Sequence, residues 1–210
     1  MRLFLSSENL GDYQDEFLSL LDGVRLAYIA NAKDDLSEQD REAKVLEHKD
    51  QFESLGLSFT EIDLKMFFQE KIPEDILDEF DVVWCSGGNT FVLRAAMEKS
   101  GFDSVLVDAV KEGIVAYGGS SAGAVIAGPS LHGVEYGDNP DLVVDIYGSE
   151  VNWDGLHLVD FVTVPHIGSE WFDNESQNMV EQLKRNKTPY EALSDGQVVI
   201  VDGDKKEVLQ

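Results

Sequence analysis

YGGSSAGAV (residues 117–125) sets two glycines and two serines between an apolar run, GIVAY (113–117), and a small-residue run, AGAVIAG (122–128). The first reads as a buried strand and the second as a helix. A turn alone does not need so many small residues together. Gly119-Ser120-Ser121-Ala122-Gly123 matches G-x-S-x-G. In a tight strand-to-helix turn, side chains at 119 and 123 would collide with adjoining backbone, and the central side chain is lifted above the sheet. This frame makes Ser121 the candidate nucleophile and Ser120 its neighbour. A frame centred on Ser120 lacks the second glycine. The competing reading is a glycine-rich turn that packs a helix closely or cradles phosphate. The stretch lacks the Lys-Ser/Thr of a Walker A loop, which makes phosphate the minor option.

Outward from the turn, short apolar runs alternate with longer amphipathic ones. RLFLS (2–6), VRLAYIA (24–30), LSFTEID (57–63), DVVWCS (81–86) and FVTV (161–164) are strand candidates. Helices are expected over DYQDEFLSLLDG, ended by Gly23, and over 37–56, with Ser37 as N-cap and Gly56 as the stop. Further helices are expected near 90–99, 103–112 and 176–186. VVIVDGDKKEVL (198–209) reads as a hairpin turning at Asp202-Gly203. Strands separated by helices predict an α/β, three-layer αβα sandwich around a mostly parallel sheet. No repeat or Pro/Ser-rich linker interrupts the 210 residues, so 1–210 is expected to be one domain. In such sheets the ligand crevice lies beyond the carboxyl ends of the strands, which makes strand ends the places to search.

Composition narrows the function classes. An apolar share of 43% suffices for a sizeable core. Sixteen Lys and Arg stand against 41 Asp and Glu, a net charge of −25, which disfavours nucleic acid and anionic membranes as partners. No window has the apolar length of a membrane span, and MRLFLSSENLG reads as a first strand rather than a signal peptide. The single cysteine, Cys85, cannot form an intramolecular disulfide, in keeping with a reducing cytoplasm.

A serine nucleophile needs a base. Of four histidines, His48 lies mid-helix among charges and reads as solvated. His132 follows the elbow helix in a polar loop and is a candidate lining residue, and His157 alternates with Leu156 and Leu158 and is expected to face solvent. His166 directly follows the strand FVTV and Pro165, which places it at the carboxyl edge with Ser121. The acid that would hold its tautomer is Asp195, in the loop of YEALSDGQVVIV, or Asp138, in EYGDNPD; position alone barely separates them. For an oxyanion hole, the Ala122 N–H is one natural donor. CSGGNTF (85–91), following DVVW, can bring a second bare backbone N–H to the same edge. No HExxH or paired cysteine points to a metal, and no cofactor is expected.

SGGNTFVL, GGSSAGAVIAGP, GLHLVDFVTVPH and ALSDGQVVIVDG occur in that order along nearly the whole chain. Together they resemble the serine peptidase family of aspartyl dipeptidase (peptidase E), to which cyanophycinase is related. The resemblance implies a fold akin to class I glutamine amidotransferases, with Ser121 as nucleophile, His166 as base, and the Gly88 and Ala122 amides as oxyanion donors. The family's acid is usually a glutamate in an L-P-E-G turn. That turn here reads Leu193-Ser194-Asp195-Gly196, which favours Asp195 over Asp138 and requires a closer approach, since Asp is one methylene shorter. Ser120 stands where the dipeptidase often has Trp. The stretch after His166, EWFDNESQNMVEQ (170–182), lacks the cation that receives an aspartyl side chain in the dipeptidase. Aspartyl specificity is therefore not carried over. Glu170, Asp173 or Glu175 is expected instead to receive a substrate α-ammonium. The expected substrate is a short peptide, and a homodimer is left open. An esterase or amidase, a Cys85 hydrolase and a non-catalytic binding module on the same scaffold are the rival readings. The segment between Leu131 and Asn152 is a lid candidate.

Overall fold

The computed structural model describes residues 1–210. Its centre is a seven-stranded sheet built from β1 (Arg2–Ser6), β2 (Arg25–Ile29), β3 (Ser58–Glu61), β4 (Val82–Cys85), β5 (Ala116–Ser120), β8 (Val198–Asp202) and β9 (Lys205–Leu209), in the order β3-β2-β4-β5-β1-β8-β9. Pairings among the first five strands of that order are parallel. The C-terminal hairpin closes one edge antiparallel. Helices α1 (Gln14–Ser19) and α2 (Glu38–Ser54) belong to the first half of the chain. They are followed by α3 (Thr90–Ser100), α4 (Phe102–Glu112), α5 (Ala122–Val125), α6 (Leu142–Tyr147) and α7 (Asp173–Asn186).

Side-chain alternation along the strands produces the layers. Leu3, Leu5, Val83, Cys85 and Tyr117 bury one face of the sheet against α3, α4 and α5, in a cluster that includes Leu93, Met97, Leu106 and Ile126. Phe4, Leu26, Tyr28, Val82 and Trp84 bury the other face against Phe17 of α1 and Phe52 of α2. Trp84 meets the rings of Phe17 and Phe52 edge-on, with centroids 5.3 and 5.2 Å away. With apolar layers on both faces, the architecture is the expected α/β three-layer sandwich. Ser37 caps α2, accepting the Asp40 N–H at 3.2 Å, and Asn89 caps α3, accepting the Val92 N–H at 3.0 Å.

Two strand expectations shift. GIVAY is not a strand throughout: Gly113, at φ 79°, ends α4, and β5 runs from Ala116 through Gly118 and Gly119 to Ser120. Glycines lack strand propensity, but β1 and β4 supply ladders on both sides. FVTV does not join the main sheet. Val162–Val164 (β6) pairs instead with Tyr190–Ala192 (β7) in a separate two-stranded sheet. Its side chains Val162 and Val164 pack with Met179, Val180 and Leu183 of α7.

The elbow is where packing is tightest. A Cβ on Gly119 would lie 2.5 Å from the carbonyl carbon of Gly123, and one on Gly123 would lie 2.1 Å from the Cys85 carbonyl oxygen. Backbone cannot yield as a side-chain tip can. Gly123→Ala is therefore expected to destabilise the fold by about 3 kcal/mol, the upper end for overpacking. Urea unfolding of the purified variant against wild type checks this.

Candidate active site

Strands β1, β2, β4 and β5 end at one edge of the sheet, and a cleft of about 580 Å³ opens there. Glu8, Lys33, Gly87, Gly88, Ser121, Asp138, His166 and Trp171 all contribute to its walls. Ser121 occupies the turn between β5 and α5 at φ 48°, ψ −111°, a strained backbone for any residue with a Cβ. The strain persists because both sides are held. The Ser121 N–H donates to the Ser6 carbonyl at 3.0 Å, and the Ser121 carbonyl accepts from the N–H groups of Ala124 and Val125, each at 2.9 Å. Ser120, by contrast, is still in the ladder, opposite Ser6.

His166 reaches Ser121 from the turn after β6. Its Nε2 lies 3.0 Å from Ser121 Oγ, and its Nδ1 lies 2.6 Å from Asp195 Oδ1. The imidazole is buried, whereas the Asp195 side chain is 30% exposed. His166 has φ 63°, and this left-handed kink accompanies a backbone N–H that donates to Ser7 Oγ at 2.8 Å. Ser7 Oγ in turn donates to Asp195 Oδ1 at 2.9 Å. One hydroxyl beyond the end of β1 therefore ties the histidine backbone to the carboxylate. The shorter aspartate reaches its partner from the turn between β7 and β8. The Ile167 N–H donates to the Leu193 carbonyl at 3.0 Å, which brings the two segments side by side.

Asp138 is not part of this chain of contacts. Its carboxylate accepts the Thr90 N–H at 2.8 Å, at the start of α3. Burial raises its pKa, partly offset by hydrogen bonds from Thr90. The neighbouring Asn139 carbonyl accepts from Asn89 Nδ2 at 3.0 Å. The segment from Leu131 to Asn152 is thus pinned to the N-terminus of α3, and Gly137, Asp138, Asn139 and Leu142 form one wall of the cleft.

Other expectations are corrected. His48 is not simply solvated: it is half-buried, its ring lies 5.5 Å from that of Tyr28, and it lines the cleft. Burial lowers its pKa. His132 is outside the cleft lining and stacks on Trp153, at 4.9 Å and 10° between planes. His157 is exposed as expected, but in irregular chain at φ 52° rather than a strand. Glu170, Asp173 and Glu175 do not line the cleft, and Asp173 instead accepts the Gly168 N–H at 2.7 Å. The carboxylates that do face it are Glu8, Asp35, Glu47 and Asp138, and its two lysines are Lys33 and Lys44. Cys85 is fully buried beneath the elbow, and burial pushes its thiol up to about 12. No three His, Cys, Asp or Glu side chains converge as a metal-ligand set, and no helix is long and apolar enough to cross a membrane.

Three residues of the site had escaped the reading of the sequence. Ser7 follows a strand end, so the crevice rule could have found it. Trp171 stands 63% exposed with its ring 4.6 Å from that of His166; its only signal was proximity in sequence to His166. Lys33 also follows a strand end, but only folding brings the turn after β2 against the Gly87-Gly88 turn. Lys33 Nζ donates to the Gly87 carbonyl there. Gly88 sits at φ 143°, and a Cβ on it would lie 2.2 Å from the Ala32 carbonyl oxygen. The Gly88 N–H has no protein acceptor, and the Ala122 N–H opens α5, where no intrahelical acceptor exists.

A strained serine within reach of a buried imidazole, at the carboxyl edge of a mostly parallel sheet, marks an α/β enzyme of hydrolytic type. Comparison with known proteins makes the class specific: Peptidase family S51 matches residues 3–209, and the chain belongs to that family of peptidases. It is 30% identical over 194 residues to the uncharacterized peptidase Lmo0363 of Listeria monocytogenes, covering 92% of this chain and 89% of that one. It is 31% identical over 150 residues to peptidase E of Streptomyces coelicolor, covering 69% of this chain and 58% of that one. Among solved structures, a protein from Listeria monocytogenes EGD-e described as a putative peptidase E superposes with a TM-score of 0.77 at 26% identity, over 100% of this chain and 98% of that one.

Two outcomes are expected from the site's electrostatics. Cys85 resists thiol reagents in the native protein and reacts only on unfolding, which reaction with a chromogenic disulfide in buffer and in denaturant checks. Asp138 has a raised folded pKa, so its ionisation costs stability above that pKa and nothing once pH falls below the unfolded value, about 4. Asp138→Asn is therefore expected to melt higher than wild type at pH 7, with the difference shrinking toward pH 4.

Proposed function

We propose that this S51 peptidase hydrolyses short peptides through an acyl-enzyme on Ser121, with His166 as general base and Asp195 as its orienting carboxylate. The observation that carries the reading is the unbroken line of contacts from Ser121 Oγ to His166 Nε2 at 3.0 Å and from His166 Nδ1 to Asp195 Oδ1 at 2.6 Å. Asp195 on Nδ1 holds the tautomer that leaves Nε2 free to accept a proton, and it stabilises the imidazolium that forms. Asp138, engaged at the α3 N-terminus, is not assigned this role.

In the first step Ser121 Oγ attacks the substrate carbonyl carbon while its proton passes to His166 Nε2. The carbonyl π pair moves onto oxygen, where the Gly88 and Ala122 N–H groups receive it. Collapse of the tetrahedral species breaks the C–N bond, and His166 gives its proton to the leaving amine. Water then repeats the sequence on the ester, with His166 taking the water proton and returning it to Ser121. Trp171, against the imidazole, shields it from bulk water and offers an apolar wall to the substrate.

Short substrates fit a cleft of about 580 Å³ walled on one side by the pinned 137–142 segment. No cation follows His166 in 170–182, so a strict requirement for N-terminal aspartate is not part of the proposal. Glu8, Asp35 and Glu47 are the carboxylates placed to attract a free α-ammonium.

The test is hydrolysis of di- and tripeptides bearing Asp, Leu, Gly or Lys at the N-terminus. Ser121→Ala is expected to abolish turnover and fluorophosphonate labelling, and Asp195→Asn to lower kcat about 10⁴-fold. Asp138→Asn is expected to change kcat less than tenfold. Ester turnover without peptide turnover would convert the assignment to an esterase. Hydrolysis that survives Ser121→Ala would sink it.

A further inference from the structure

The turn after β2, a single 3-10 turn at Asn31–Lys33, grips the Gly87-Gly88-Asn89 turn with two consecutive residues. The Ala32 carbonyl accepts the Asn89 N–H at 2.7 Å, and Lys33 Nζ donates to the Gly87 carbonyl. The contact with Lys33 falls on one side of a single peptide unit. That peptide is trans, since the chain contains no cis bonds. In a planar trans peptide the C=O of Gly87 and the N–H of Gly88 point in opposite directions. A cation bound to the carbonyl therefore fixes the direction of the N–H and draws electron density away from it. The peptide lies against the nucleophile candidate: a Cβ built on Gly87 would stand 3.2 Å from Ser121 Cβ and 3.8 Å from Ser121 Oγ. Lys33 itself is only 8% exposed, and no carboxylate takes its ammonium as a salt-bridge partner.

We infer that Lys33 is a positioning residue for acyl transfer, holding and polarising the Gly87–Gly88 peptide so that the Gly88 N–H is aimed at the oxyanion. The inference rests on the serine peptidase reading above and deepens it, adding a charge behind the oxyanion hole from a part of the chain with no other role in the chemistry. As negative charge gathers on the substrate oxygen, the Gly88 N–H meets it directly and the Lys33 ammonium stabilises it through the peptide. In the ground state the substrate carbonyl carries little charge, so the benefit falls on kcat rather than KM.

The ammonium must be charged to act, and its surroundings set where it titrates. Burial pulls Lys33 down to about 8, helped by Lys44 and Arg41 of α2 and opposed by Asp35 and by Glu47 of α2. His48 of α2, Glu8 beyond β1, Asp138 of the 131–152 segment and His166 line the same cleft. Rising pH neutralises Lys33 through that range, so wild-type kcat is expected to fall on an alkaline limb near pH 8.

The experiment compares kcat and KM from pH 6 to 10 for wild type, Lys33→Met and Lys33→Arg on one cleaved dipeptide, with Ser121→Ala as the control. Lys33→Met is expected to lower kcat about 10- to 100-fold, just below the effect of deleting an oxyanion donor, with KM within about threefold and no alkaline limb. Lys33→Arg, whose charge does not titrate in this range, is expected to recover most of kcat and to extend the plateau beyond pH 8. A Lys33→Met enzyme with wild-type kcat, or a Lys33→Arg enzyme that keeps the limb, overturns the inference while leaving the proposed function intact. If Lys33→Met does not fold, the wild-type and Lys33→Arg profiles decide alone, and a wild-type plateau that continues past pH 9 overturns it. Turnover that persists in Ser121→Ala removes the proposed function and this inference together, a distinct result.

Discussion

The Cα of Gly123 presses against the carbonyl of Cys85, and most of the site depends on that approach. With no side chain at 123 or 119, α5 can start directly above the end of β4, and the chain can turn from strand to helix within one residue. Ser121 is that residue. Its φ of 48° and ψ of −111° are stabilised from outside, by the Ser6 carbonyl on one side and the first turn of α5 on the other. Strain of this kind persists only where the surroundings over-determine the backbone. Here they do so with two ladders, β1 and β4, flanking β5.

From this elbow the other groups are placed by turns that leave the same sheet edge. The end of β1 supplies Ser7, the end of β2 supplies Lys33, and the end of β4 supplies Gly87 and Gly88. His166 and Asp195 come from outside the main sheet, flanking the small β6–β7 pair, and Ser7 bridges them to β1. The Ser7 hydroxyl accepts from one backbone N–H and donates its proton to one carboxylate, acting in both directions at once. That bridge holds the Asp195 carboxylate beside the imidazole. The Ile167 N–H, donating to the Leu193 carbonyl, lays the two segments side by side.

Charge follows the same logic of placement. A chain carrying −25 overall keeps a buried lysine at the sheet edge where the Gly87 carbonyl and the strained Ser121 meet. Four carboxylates line the same cleft, yet the lysine's partner is a backbone carbonyl. A neutral acceptor leaves the ammonium's field available to the peptide it touches, where a carboxylate partner would largely cancel it.

Much of this was legible in the residues. The alternation of apolar and amphipathic runs, G-x-S-x-G after a strand and Gly-Gly-Asn after another determined the α/β sandwich, the elbow and the position of Ser121, because each is a local demand on backbone geometry. The same locality misled where pairing partners mattered. GIVAY and FVTV look alike as apolar strands, but whether a run joins the main sheet depends on which neighbour offers a free ladder. The choice between Asp195 and Asp138 was open for the same reason, since both lie in polar loops. Only the tertiary structure put one carboxylate 2.6 Å from His166 and the other at the start of α3. Ser7, Trp171 and Lys33 belong to the same class. None of the three has a periodicity of its own: Ser7 and Lys33 gain their contacts from segments far along the chain, and Trp171 gains its contact from the fold of the turn after His166.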